Sequence, residues 1–383
     1  MNTKGFNTVC THDGEIHDTQ FGGAVSPIFM ASSYPFMDVD IKRYPRYFNT
    51  PNQEALGNKI AALEHAEAGM PFASGMAAIS TTLLAFLQKG DHVVFQNEIY
   101  GGAFNFVVEE FGKFGIEYTF TKGVAVADFE CEIKSNTKVI YIETPSNPLL
   151  TVTDIKAVAD LAKKHSLISM IDNTFASPAN QNPIDFGVDV VLHSATKYLG
   201  GHSDICAGAV ASTKENINTV FQKGKNLGGS MSDFMCYLLE RSIKTLGLRV
   251  AKHNENALVI ARYLEKHKAV KKVYYPGLES HPNHTIAKVQ MKGFGGMLSF
   301  ELNDSLDAVA FQKALKMIKP SLSLAGVEST ILLPAVTSHA LIGAEARKEQ
   351  GITDTLLRFS TGIEEVEDII EDLEQGFEKT STK

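Results

Sequence analysis

The sequence predicts an α/β chain with a mostly parallel central sheet covered by helices, followed by a smaller C-terminal α+β domain. Two observations carry this. Short apolar, β-rich runs alternate with helical stretches through the middle of the chain, as strands buried between helix layers do. After the turn Tyr275-Pro276-Gly277 the texture changes to more widely spaced strands and helices.

The first 55 residues are irregular, with Gly22-Gly23, Pro27, Pro35, Pro45 and Pro51 and too little periodicity for a packed unit. Segment 1–55 is therefore expected to be an arm lying on something else, such as a second subunit. From Glu54 the pattern becomes helical, with Leu56, Ile60 and Leu63 on one face; Ser74 then precedes a second apolar helix ending near Gly90. Strands are expected at His92–Gln96, Lys138–Glu143, Leu167–Asp172 and Val188–His193, with helices at Phe104–Phe114 and Asp154–His165 between them. A long helical region, Ser232–His267, follows. The second domain is expected to hold strands Met297–Leu302 and Thr355–Ser360 and helices Leu306–Met317 and Glu364–Phe377. The expected units are thus 1–55, 56–250 and 251–383. The acidic run beginning at Glu364 reads as a solvated face suited to a helix N-terminus.

Composition narrows the function. The chain has 383 residues, 44% of them hydrophobic and 21% charged, and a formal charge of −8. That charge disfavours a nucleic-acid backbone as the main partner. The longest strongly apolar stretch runs only from Met76 to Leu87, short of the roughly 20 residues a bilayer span needs, so no membrane partner is expected. The N-terminus lacks an apolar signal core, which leaves the cytoplasm as the default compartment. Cys10, Cys131, Cys206 and Cys236 are scattered without CxxC spacing, which points to reduced thiols and no metal site.

In sheets of this kind ligands sit beyond the carboxyl ends of the strands, where Glu143, Asp172 and His193 are expected. Lys197 follows a buried strand, behind Ser194 and Thr196. Two hydroxyls beside a lysine suit a phosphate anchored next to an amine able to bind an aldehyde cofactor. Alone, such a lysine reads as an exposed loop residue. Asp172 could hold a pyridinium nitrogen protonated, or simply cap a turn. Gly75, after Ser74, could let a helix N-terminus approach a phosphate, or be an ordinary capping pair. No strand–GxGxxG–helix unit occurs, and Lys292-Gly-Phe-Gly-Gly-Met297 has its glycines in the wrong order, which leaves a nicotinamide enzyme little support.

Taken together the motifs are specific. Ser74-Gly-Met76, Tyr100-Gly-Gly102, Glu143-Thr-Pro-Ser-Asn-Pro148, Asp172-Asn-Thr-Phe175, Ser194-Ala-Thr-Lys-Tyr-Leu-Gly-Gly-His-Ser-Asp204 and Leu357-Arg-Phe-Ser-Thr-Gly-Ile363 occur in order. The chain resembles, almost end to end, the cysteine/methionine-metabolism (transsulfuration) branch of fold-type I, aspartate-aminotransferase-like enzymes that use pyridoxal 5′-phosphate (PLP). Cystathionine γ-synthase, cystathionine γ- and β-lyases, methionine γ-lyase and O-acetylhomoserine sulfhydrylase belong to that branch.

The resemblance implies that Lys197 holds PLP covalently and shuttles protons once substrate frees it. Asp172 would pair with the ring nitrogen, and Tyr100 would stack on the ring and assist proton transfer. Gly75, Met76, Ser194 and Thr196 would hold the phosphate. Asn147 would contact the ring hydroxyl and the substrate carboxylate, with Arg358 clamping that carboxylate and Ser323 nearby. Tyr44-Pro-Arg46 resembles the family's Tyr-x-Arg, which reaches the phosphate in a neighbouring subunit. A homo-oligomer with shared sites, usually a dimer of dimers, would follow.

Several departures bear on the reaction. The family's Asn-Pro-Thr is here Asn49-Thr50-Pro51. Asn105 stands where cystathionine γ-synthases and γ-lyases typically carry arginine, and Leu322 where they carry glutamate. Gly102 also replaces the cysteine usual in methionine γ-lyases. Loss of both charges suits a small or uncharged γ-substituent. The expected activity is γ-elimination, a carbon–sulfur lyase reaction on a small homocysteine- or methionine-type substrate. The alternatives are γ-replacement on an acylated homoserine, or cystathionine γ-lyase activity.

Overall fold

The computed structural model describes residues 4–337, 347 and 351–380. Two compact units divide the chain: Met1–Glu143 with Asp154–Gly247, and Thr144–Thr153 with Leu248–Lys383.

The first unit is built on a seven-stranded sheet. Its strands are β1 (Ala68–Phe72), β2 (His92–Phe95), β3 (Glu117–Phe120), β4 (Thr137–Glu143), β5 (Ile168–Asp172), β6 (Val190–His193) and β7 (Gly208–Ser212), in the order β1-β7-β6-β5-β4-β2-β3. Only β7 runs against its neighbours, so the sheet is mostly parallel. Val93, Phe95, Tyr141, Met170, Val190, Leu192 and Val210 form one core with Ala78, Ile79 and Leu83 of the helix Gly75–Phe86. Each large side chain buried in this way contributes roughly 1.5–3 kcal/mol.

The helices follow from their caps and periodicity. Asp154 accepts the Ala157 N–H at the start of Ile155–Lys164, whose buried residues Ile155, Val158, Ala159, Leu161 and Ala162 recur at helical spacing. The expected long helix at 232–267 is two helices, Asp233–Ile243 and Leu246–Lys266. Thr245 Oγ1 donates to the Ser242 carbonyl at the break.

The N-terminal segment is more ordered than its composition suggests. Phe6–His12 is a helix with Val9 and Cys10 buried, and buried Lys59 donates to the Cys10 carbonyl at 2.9 Å. Ser26 Oγ donates to Glu240 Oε1 at 2.7 Å. Beyond this root the chain is exposed, with Met30 68%, Phe36 67% and Met37 67% accessible.

The second unit carries β8 (Val270–Tyr274), β9 (Met297–Leu302), β10 (Lys319–Pro320), β11 (Thr330–Leu332) and β12 (Leu356–Ser360), in the order β10-β11-β12-β9-β8. Phe300, Phe311, Phe359 and Phe377 anchor its core, the rings of Phe311 and Phe377 stacked at 4.6 Å. The helices Ala308–Ala314 and Val366–Thr380 are each displaced from their expected ranges.

One segment departs from the expected division near residue 250. Thr144–Thr153 belongs with the second unit, where Ser299 Oγ donates to the Pro148 carbonyl (2.7 Å) and Gln290 Nε2 to the Thr153 carbonyl (3.0 Å). Asn147 therefore lies in the second unit, not in the cofactor domain that the sequence assigned it to.

Candidate active site

In the first unit Asp172, Ser194, Thr196 and Lys197 end or follow β5 and β6, which with β4 finish at Asp172, His193 and Glu143. Parallel pairing sets Glu143 beside Asp172. Asp172 is 4% exposed and, among the described residues, is hydrogen-bonded only by Thr174, whose N–H donates to Oδ1 at 3.0 Å. Burial pushes its carboxyl above the ordinary carboxylate range, against the Thr174 hydrogen bonds and the nearby His193. Such a carboxylate is suited to a cationic N–H donor. A pyridinium nitrogen supplies one.

Thr174 also links the two strand ends, because its hydroxyl accepts the Ser194 N–H at 2.8 Å. Lys197 lies three residues on, half-buried in the turn that follows β6, its N–H donating to the Ser194 carbonyl (3.1 Å). Thr196 Oγ1 is held by the Ala207 N–H at 2.9 Å.

The phosphate side is a helix N-terminus. Ser74 Oγ accepts the Ala77 N–H (3.0 Å) and its carbonyl accepts the Ala78 N–H (3.1 Å). The N–H groups of Gly75 and Met76 have no partner among the described residues. A Cβ on Gly75 would stand 2.8 Å from Ser194 Cβ, so only glycine lets Ser194 approach this helix end. Two open amides, a helix dipole and the Ser194 hydroxyl suit a phosphate dianion. The residues present thus fit PLP at three points: amine, carboxylate and phosphate cradle.

Tyr100 precedes the helix Gly101–Phe114 and is 44% exposed; its N–H donates to Glu143 Oε2 at 2.6 Å. Its ring lies over Gly102, where an added Cβ would meet Cε1 at 2.5 Å and the Met76 sulfur at 3.1 Å. A cysteine at 102 would therefore require this ring to move. Asn105 is exposed one turn into the same helix.

In the second unit, Arg358 on β12 is 5% exposed. Nη1 donates to Asn147 Oδ1 at 2.9 Å, across 211 positions, and Nη2 to the Ser323 carbonyl at 3.1 Å. Three of the expected substrate residues are thus brought together. Leu322 is 69% exposed next to Ser323.

Tyr44 and Arg46 stand apart. Arg46 donates to the Lys225 carbonyl and lies over the rings of Tyr44 (5.7 Å) and Tyr47 (5.1 Å). The displaced proline has a structural reason: Pro51 is the first residue of the helix Pro51–Glu64, capped by Thr50. Asn49 then brackets Tyr44, accepting its N–H (3.0 Å) and donating to the Lys42 carbonyl (2.9 Å).

Sequence reasoning missed several supporting groups. Glu143 opens a recognised motif, yet nothing local marks it as the Tyr100 acceptor. Glu64 Oε1 takes both Asn173 Nδ2 (2.9 Å) and His193 Nε2 in a buried cluster. Glu364, read as a solvated residue, binds Ser329 through both oxygens, at 2.6 and 2.9 Å.

A family model described as Cys/Met metabolism PLP-dependent enzyme matches residues 7–378. The chain is 43% identical over 375 residues to a Lactococcus lactis protein named cystathionine beta-lyase, covering 97% of this chain and 98% of that one. It is 41% identical over 394 residues to an L-methionine gamma-lyase of Fusobacterium nucleatum, covering 99% of each. A crystal structure of cystathionine gamma-lyase from Lactobacillus plantarum, complexed with L-serine, matches with a TM-score of 0.95 and 41% identity, over 99% of this chain and 100% of that one.

Proposed function

This chain belongs to the family of Cys/Met metabolism PLP-dependent enzymes, and we propose that it performs γ-elimination on a small homocysteine- or methionine-type amino acid. It is an enzyme, and its cofactor is pyridoxal phosphate. When bound, the cofactor supplies an aldehyde for amines and a protonated ring that accepts the electron pair released at Cα.

The residues take the following parts. Gly75, Met76, Ser194 and Thr196 hold the phosphate, and Asp172 keeps the ring nitrogen protonated. Lys197 would hold the cofactor through its amine, and that amine, when free, would move protons at the substrate carbons. Tyr100 would lie against the ring and assist proton transfer, with Glu143 fixing its backbone. Arg358 and Asn147 orient the substrate carboxylate, beside Ser323. With methionine, the Cγ–S bond breaks and one water is taken up, giving a 2-oxo acid, ammonia and the thiol.

The observation that carries the choice of substrate is the neutrality of Asn105 and Leu322. A charged distal group desolvated beside them would lack an ionic partner, which is costly. Cleavage of cystathionine is the second reading, favoured by the names of the Lactococcus and Lactobacillus proteins.

The exposed apolar stretch around Met30, Phe36 and Met37, leading to Tyr44 and Arg46, supports an arm that completes the site of a second copy. We assign the protein to a cytoplasmic homo-oligomer, a dimer of dimers. Among the described residues no helix is long and apolar enough to cross a membrane. Product analysis of the holoenzyme tests the reaction. 2-Oxobutanoate and ammonia from methionine or homocysteine support γ-elimination; pyruvate from cystathionine, with no 2-oxobutanoate from any substrate, overturns it in favour of β-elimination.

A further inference from the structure

The segment before β11 is tied to β12 and the residues after it at alternate positions. Arg358 Nη2 donates to the Ser323 carbonyl (3.1 Å), and the Ala325 N–H donates to Ser360 Oγ (2.7 Å). The Ile363 N–H donates to the Val327 carbonyl (2.9 Å), and Glu364 takes both donors of Ser329.

Two residues in this ladder, Ser323 (φ 75°) and Ala325 (φ 63°), are left-handed, a conformation that L-residues with side chains disfavour. Position 325 carries an alanine and not a glycine, so the cost of the positive φ is not relieved there. Ala325 is fully buried and Ser360 2% exposed, so the Ala325 amide cannot turn to water. The Ser360 hydroxyl is the acceptor that selects a turn which Ala325 itself opposes. That turn sets the Ser323 carbonyl against the guanidinium.

We propose that Ser360 is a positioning residue for Arg358: by accepting the Ala325 N–H it holds the Ser323–Ala325 turn, which fixes the guanidinium and sets where Leu322 stands. The inference rests on Arg358 taking the substrate carboxylate. Through one hydroxyl, recognition of the carboxylate and of the distal group become coupled.

The test uses holoenzyme carrying Ser360→Ala, Ser360→Cys, Ser360→Ala with Ala325→Gly, or Arg358→Lys. KM and kcat are measured with methionine, and norleucine binding (no sulfur to lose) is followed spectroscopically. Ser360→Ala should raise KM and the norleucine Kd about tenfold while kcat changes less than about threefold. Ser360→Cys leaves no void, putting a slightly larger and poorer acceptor at the same place, and should act in the same direction, so the test survives if the alanine variant does not fold. Adding Ala325→Gly removes the cost of positive φ and should recover most of the lost affinity. A merely structural role would not predict that recovery. Unchanged KM and Kd in the Ser360 variants, with both raised in Arg358→Lys, would overturn the latch and leave the Arg358 role standing. Unchanged values in Arg358→Lys itself would overturn the underlying assignment.

Discussion

The backbone N–H of Tyr100 donates to Glu143 Oε2 at 2.6 Å, joining the start of the helix Gly101–Phe114 to the end of β4. For the stacking role proposed for Tyr100, this half-exposed ring would need its backbone fixed, and the buried Glu143 carboxylate does this. A hydrogen bond to a charged group is worth about 1.5–3 kcal/mol. Glu143→Ala should therefore lower kcat/KM by roughly 10- to 100-fold, while Glu143→Gln, which keeps an acceptor, should lose less. Equal losses in the two variants would show that the hydrogen bond is not what matters.

Asp172 gives a prediction about stability and pH. Its folded pKa is raised above the ordinary 3.8, chiefly by burial, so the folded chain holds this proton more tightly than the unfolded chain. In cofactor-free protein this contribution favours folding at low pH and is lost as pH rises from the unfolded value through the raised one. Each unit of that window is worth about 1.4 kcal/mol. Cofactor-free Asp172→Asn should thus unfold at the same or higher temperature than cofactor-free wild type at neutral pH. The same variant should bind PLP more weakly and turn over at least a hundredfold (~10²) more slowly, as loss of a preorganised charge does. Thermal unfolding across about pH 4 to 8 reads the first effect. A clearly less stable cofactor-free variant at neutral pH would contradict the burial argument.

These pairings mark what the sequence could and could not reveal. Val190–His193 and Ile168–Asp172 were legible because strands buried on both faces read as mostly apolar runs rich in Val, Ile and Leu. β7, Gly208-Ala-Val-Ala-Ser212, is equally buried but filled with short side chains between β1 and β6, which erases the β-branched signal. β1 was hidden by Gly69 and Pro71, and β3 by being only four residues long and half-buried. The Lys197 and Asp172 motifs stood out because their chemistry sits within a few residues of a strand end. Glu64 with His193, and Ser360 with Ala325, are 129 and 35 positions apart, and no local pattern joins them.

The exposed arm predicts complementation. Arg46→Ala should raise the PLP dissociation constant about tenfold or more, the scale of one charge-assisted phosphate bond. Lys197→Ala should be inactive and lack the visible absorbance of lysine-bound cofactor while keeping its fold. Hetero-oligomers of the two inactive or weakened chains should regain some sites with both wild-type groups. No recovery in well-mixed oligomers would show that Arg46 serves its own subunit.

On the proposed reading, neutrality at Asn105 and Leu322 favours a small substrate over cystathionine, so relative specificity is the most direct measurement. The wild-type kcat/KM ratio of methionine to cystathionine should favour methionine. The Asn105→Arg, Leu322→Glu double variant should shift it towards cystathionine by about tenfold, the value of one charge-assisted contact. A wild-type enzyme that prefers cystathionine by a wide margin, with no shift in the double variant, would contradict the account.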